Sequence, residues 1–214
     1  QDLQEKIIKT CRKDGLIPRQ VNLVGWSRGG ISCHMLANAM YADPALRQIA
    51  VNIFAIDPVP GPTNFQREKV TLQKNVKQYV GFYARDERSK GFACVIPRID
   101  SATRMSIYPM AGRHATLVGN ESLTGADGPG SLTEPGSLVR HYAEVCLTRW
   151  GAPLDKRLKL SPAQISRLHQ SIVMHEELFI AMSKHSYTKL TEHQSNERYV
   201  SHGDQGARFS AVEG

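Results

Sequence analysis

Val21-Asn22-Leu23-Val24 runs straight into Gly25-Trp26-Ser27-Arg28-Gly29, and a helical pattern follows at once. A short apolar run without alternation suits a strand buried on both faces, which is the habit of parallel sheets. Two parallel strands cannot be joined by a tight hairpin, so each needs a crossover segment to reach the next. The segment therefore reads as a strand–turn–helix unit. Three further apolar runs end in comparable turns. Ile49–Ile56 halts at Asp57-Pro58-Val59-Pro60-Gly61-Pro62, Val76–Tyr83 precedes Arg85-Asp86-Glu87-Arg88, and Met105–Met110 closes on Ala111-Gly112-Arg113-His114. The prolines at 58, 60 and 62 cannot extend a central strand, so that stretch is a rigid loop.

Helical spacing fills the rest. Leu3, Ile7, Ile8 and Cys11 recur at intervals of three and four across residues 2–13, and Gly15 supplies the stop. A helix from Arg28 to Tyr41 is expected to turn Met35, Leu36, Ala39 and Met40 inward, with Cys33 on its buried face, until Asp43-Pro44 breaks it. Residues 119–136, rich in Gly, Ser, Thr and Pro, read as a loop long enough to serve as a lid. Helices are expected at Ser137–Trp150 and Pro162–Lys184, the second opened by Ser161 as N-cap and by proline at the first helical position. The last twenty-odd residues are polar and read as a loosely attached tail. The expected organisation is a core over residues 1–160 and a helical appendage with tail over 161–214. Strand–helix alternation makes the fold α/β, a mostly parallel sheet with flanking helices.

In such sheets the loops leaving the strand C-termini form the site, and here they carry Ser27, Asp57, Asp86 and His114 in that order. Gly25-Trp26-Ser27-Arg28-Gly29 fits G-x-S-x-G, in which a serine on a sharp strand-to-helix turn projects its hydroxyl into the site. The glycines on either side are expected to keep side chains out of that turn. The amide of Arg28, the residue after the serine, is the candidate oxyanion-hole donor. The bland alternative is a Gly-rich turn whose serine caps the helix. A serine hydroxyl needs a general base. Of the eight histidines, His34 should point away from Ser27. His141, His169, His175 and His185 fall on helix surfaces, and His193 and His202 fall in the tail. Only His114 follows a late strand, downstream of the serine. Spacing leaves the acid open between Asp57, pinned by prolines, and Asp86, whose flanking arginines suggest a local ion-pair cluster.

The net charge of +7 is scattered, with no run of five basic residues, so it reads as a solvated basic face and nucleic acid is not an expected partner. Cys11, Cys33, Cys94 and Cys146 are widely spaced, without a CxxC pair, so neither a metal site nor a redox motif is expected, and serine-based acyl transfer requires no organic cofactor. The sequence contains no apolar stretch of transmembrane length.

Four segments together resemble the type VI secretion lipase effectors, within the α/β-hydrolase superfamily. They are GWSRGG (25–30), FAIDPVPG (54–61), ARDERSKGF (84–92) and PMAGRHATLVG (109–119). They are similar in order to that family's elbow, its strand running into the catalytic aspartate, its acidic-basic segment and its histidine loop. The resemblance implies a triad of Ser27, Asp57 and His114 and a lipid or other ester substrate. It also implies contact with a membrane surface and delivery by a bacterial secretion system. The aspartate followed by Pro-Val-Pro, and a histidine loop lacking the usual aspartate and double glycine, depart from the pattern. Such a hydrolase carries strands and a second oxyanion donor upstream of its elbow. The chain is therefore expected to lack the N-terminal strands, with an N-terminal segment or a second chain completing the sheet. Other serine hydrolases (thioesterase, acyltransferase, peptidase) and an inactive hydrolase-fold binding module are the rival readings.

Overall fold

In the computed structural model, residues 2–13, 15, 17–61, 66–87, 92–119 and 132–182 are described, without the side chains of residues 2–5, 11 and 12. The elements are α1 (Asp2–Lys13), β1 (Gln20–Trp26), α2 (Arg28–Ala42), β2 (Ala50–Ile56), α3 (Arg67–Val70), β3 (Val76–Ala84), β4 (Arg104–Met110), α4 (Glu134–Arg149), α5 (Pro162–Met174) and α6 (Glu176–Met182). The four strands form one sheet in sequence order, β1-β2-β3-β4, with every neighbouring pair parallel. The expected α/β architecture is present.

The strand period of two sorts the core into layers. Val21, Leu23, Val51, Ile53, Ala55 and Tyr79 gather against Cys33, Ala37 and Met40 of α2. The alternate residues Phe54, Ile56, Phe82 and Ala84 gather against Leu138 and Val139 of α4, Ile172 of α5, and Phe179 and Met182 of α6. A parallel sheet whose strands lie in chain order sends its right-handed crossovers to one face. The chain beyond β4 covers the other face with α4 to α6. Residues 162–182 thus share a core with the sheet.

Three local expectations differ. The buried face of α2 is Gly30, Ile31, Cys33, His34, Ala37 and Met40, whereas Met35 is 41% exposed. The inward stripe is rotated by about one residue from the apolar run, because a buried histidine occupies one of its positions. The fourth helix starts at Glu134 rather than Ser137, inside the expected loop. Pro135 sits in its first turn, where a missing N–H breaks no helical bond. The long final helix is broken at His175 into α5 and α6. No Gly or Pro marks that break; Glu176 beside it is held by Arg85 at 2.8 Å, a contact across the fold. Residues 120–131, most of the expected lid, and residues 183–214, the expected tail, lie outside the described residues.

Candidate active site

β1 continues its ladder into Ser27, whose amide donates to Ile56 O at 3.0 Å. There the chain turns sharply: Ser27 has φ 57 and ψ −125, and its side chain makes no capping hydrogen bond to α2. That disposes of the capping alternative. Backbone of this kind is costly for a residue with a Cβ and tends to persist where function requires it. The turn closes tightly. A Cβ added to Gly25 would lie 2.4 Å from the Gly29 carbonyl, and one added to Gly30 would lie 2.9 Å from Pro58 Cβ. At Gly29 the same addition meets open space. The steric demand thus falls on the first glycine of the motif and on Gly30, not on both flanking glycines as expected. Arg28 is the first residue of α2, so its N–H has no intrahelical acceptor and faces the start of the helix.

The next loop begins at Asp57, also with positive φ (40), the described non-glycine residues of this kind being Ser27, Asp57 and Lys159. Asp57 is 1% exposed. Its amide donates to Phe82 O at 2.7 Å, its Oδ1 accepts from the Ala84 amide at 3.1 Å, and its Oδ2 meets His114 Nδ1 at 2.6 Å. A short contact to an ionised carboxylate is a strong hydrogen bond. In the tautomer that donates Nδ1–H to this carboxylate, Nε2 keeps its lone pair. The Ser27 hydroxyl does not bond to His114 among the described residues; nucleophile–base bonds of unliganded sites commonly tighten only with substrate.

Asp86 does a different job. Its Oδ2 accepts from the Gly112 amide at 2.8 Å, its own amide donates to Gly112 O at 3.0 Å, and Arg85 Nε lies 3.3 Å from the carboxylate. It pins the backbone of the histidine loop and leaves the imidazole to Asp57. Glu87 assists: Oε2 accepts from the His114 amide at 3.2 Å, and Arg113 Nε lies 3.4 Å from the same carboxylate. The ion-pair cluster expected around Asp86 thus includes Arg85, while Arg88 lies outside the described residues.

Sequence reading passed over the aromatic residues that hold the imidazole. Trp26 stacks on His114 with centroids 5.0 Å apart and donates from Nε1 to His114 O at 3.3 Å. Phe92 lies 4.7 Å from the same ring. Trp26 immediately precedes the serine in the motif, which was a usable signal; Phe92 is brought in from a distant turn.

Beneath the site runs a buried polar chain. His34, fully buried, contacts Lys69 O through Nδ1 at 2.8 Å and the Tyr79 hydroxyl through Nε2 at 3.2 Å. Tyr79 meets the Tyr83 hydroxyl at 3.1 Å, and Tyr83 donates to Val95 O at 2.9 Å. The Val95 amide returns to Pro58 O at 2.8 Å, next to Asp57. Burial pushes His34 down to about 4 against the hydrogen bond it donates to Lys69 O, which raises it. Burial also pushes both tyrosines well above the ordinary range. The imidazole is therefore neutral, and only an Nδ1–H serves the Lys69 carbonyl. His34 thus bonds to α3 and β3 rather than to Ser27, and ties the elbow helix to both. His141, His169 and His175 lie on α4 and α5 or at their end, whereas His185, His193 and His202 lie outside the described residues.

Among the described residues no group of three or more His, Cys, Asp or Glu could hold a metal ion. Neither a family model nor a curated protein matches this chain. Among solved structures it is similar to the crystal structure of an uncharacterized protein from Pseudomonas aeruginosa, 15% identical over 83% of this chain, with a TM-score of 0.44. The match covers 32% of that protein's chain, so the present chain corresponds to about a third of its length.

Proposed function

We propose that this chain carries the catalytic centre of an α/β-hydrolase-like serine esterase of lipase type. The observation that carries the reading is the buried 2.6 Å bond between Asp57 Oδ2 and His114 Nδ1, set beside a serine held in strained backbone at a strand-to-helix turn. Trp26, the residue before Ser27, is stacked on that same histidine. The Ser27 amide is bonded to the residue before Asp57. Three groups far apart in the chain therefore converge on one rim of the sheet.

In the proposed reaction His114 Nε2 takes the Ser27 hydroxyl proton as Oγ attacks an ester carbonyl, and Asp57 stabilises the resulting imidazolium. The carbonyl oxygen becomes an oxyanion facing the Arg28 amide. Collapse expels the alcohol, which takes the proton from His114, and leaves an acyl-serine. Water then gives a proton to His114 Nε2 and adds to the acyl carbon; collapse returns the proton to Ser27 Oγ and frees the carboxylic acid. The second oxyanion donor belongs to a segment paired along the outer edge of β1, which has no partner strand among the described residues. That segment comes from the same polypeptide or from a second chain.

Apolar esters suit the surroundings: Trp26 is 40% exposed on one side of His114 and Val118 44% exposed just beyond it. The net charge of +7 favours an anionic lipid surface. Delivery by a bacterial secretion system rests on the sequence resemblance alone. The test is hydrolysis of p-nitrophenyl butyrate. The reading predicts turnover that Ser27→Ala abolishes without loss of the fold. Undiminished turnover in that variant overturns it.

A further inference from the structure

A groove of about 550 Å³ opens on the α4 side of the sheet. That volume lies in the range of small-molecule sites. Its floor is the outward row of β3 and β4, where Gln78 pairs with Arg104, Val80 with Ser106 and Phe82 with Tyr108. Its wall is α4, through Tyr142, Cys146 and Arg149. Ser27, Asp57 and His114 do not line it.

The groove is chemically polarised. At one end Phe82 stacks on Tyr108 at 5.1 Å and on Tyr142 at 5.6 Å. At the other end Trp150 Nε1 donates to Gln78 Oε1 at 3.0 Å, and Arg149, next to Trp150 in the chain, and Arg104, the strand partner of Gln78, both line the groove. From Tyr142 to Arg149 is seven residues of helix, or about 10 Å. From Phe82 to Gln78 is four residues of strand, or about 13 Å. Both measures separate an aromatic end from a cationic end by the length of a medium acyl chain. Arg104 and Arg149 are both exposed and form no ion pair among the described residues. Two guanidinium groups lining one groove offer planar forks that suit carboxylate or phosphate.

We propose that this groove binds an amphiphilic anion, its head group at the Arg104 and Arg149 end and its apolar body along Phe82, Tyr108 and Tyr142. This site is separate from the acyl-transfer centre and does not depend on it.

The experiment is calorimetric titration of the protein with decanoate, decyl phosphate and the neutral decanol. Saturable one-to-one binding of either anion is expected, the tighter of the two naming the head group, with decanol about tenfold weaker or worse. The R104Q/R149Q variant, altered only at exposed positions, is expected to lose about tenfold or more in anion affinity. K74Q/K77Q, which removes the same charge elsewhere, and Ser27→Ala are expected to change nothing. Ser106→Phe, which fills the floor with both arginines intact, is expected to abolish binding, its fold checked by thermal unfolding. No saturable binding, equal affinity for decanol, or undiminished affinity in R104Q/R149Q would overturn the proposal. Loss in Ser27→Ala, or equal loss in K74Q/K77Q, would likewise overturn it, by placing the ligand in the catalytic cleft or on the general surface charge.

Discussion

Three carboxylates surround the histidine loop, and their partners separate their roles. Asp57 binds the imidazole, Asp86 the Gly112 amide, and Glu87 the His114 amide. From spacing alone Asp57 and Asp86 were equivalent, since both follow parallel strands whose ends meet at one rim. What distinguishes them is which way each carboxylate points, and that is set by contacts between strands. Asp57→Asn is expected to lower kcat/KM for an ester by about three to four orders of magnitude, because the amide cannot hold the Nδ1–H tautomer. Asp86→Asn is expected to leave most of the rate and to cost about 1–3 kcal/mol of stability by weakening a buried acceptor. Ester kinetics and urea unfolding of the two variants check this; a large rate loss confined to the Asp86 variant reverses the assignment.

At the level of elements, the strand–turn–helix unit was legible because a short apolar run and the glycines around Ser27 are local signals. The four strands and the N-terminal part of the α5 helix, with its Ser161–Gln164 capping box, were legible for the same reason. The inward face of α2 was not: the pattern counts His34 as polar, whereas Lys69 O and Tyr79 satisfy it in the core. The start of α4 was hidden because proline and glycine suit a loop as well as a first helical turn. The elbow itself makes a sharp prediction. Gly25→Ala drives a Cβ to 2.4 Å from the Gly29 backbone, and so is expected to abolish activity and lower stability. Gly29→Ala is expected to keep the fold and add about 0.5–1 kcal/mol, the usual gain from alanine within a helix. Thermal unfolding and ester turnover of the pair test it; equal damage from both substitutions would show that the turn is not built this way.

Across the whole molecule, the site is assembled from all four strand ends and is braced from below by the His34–Tyr79–Tyr83 chain, a long-range network that no local pattern encodes. That network has a pH signature. An unfolded histidine titrates near 6.5, whereas His34 in the fold is pushed down to about 4. Above pH 6.5 both states are neutral at this residue, and its contribution is complete. As pH falls from 6.5 towards 4 the unfolded chain binds a proton that the folded chain refuses, so stability declines, by roughly 3 kcal/mol in all. Below about 4 the effect levels off. Urea unfolding from pH 7 to 4.5 should show a slope that His34→Leu removes, whatever that variant's absolute stability; an unchanged slope would mean that His34 is not the group responsible. The central claim, an activated serine at the β1–α2 turn, is tested most directly by a fluorophosphonate probe with the labelled residue located by mass spectrometry. The account predicts a single adduct on Ser27, greatly slowed in His114→Ala; no adduct at Ser27, or labelling indifferent to His114, would contradict it.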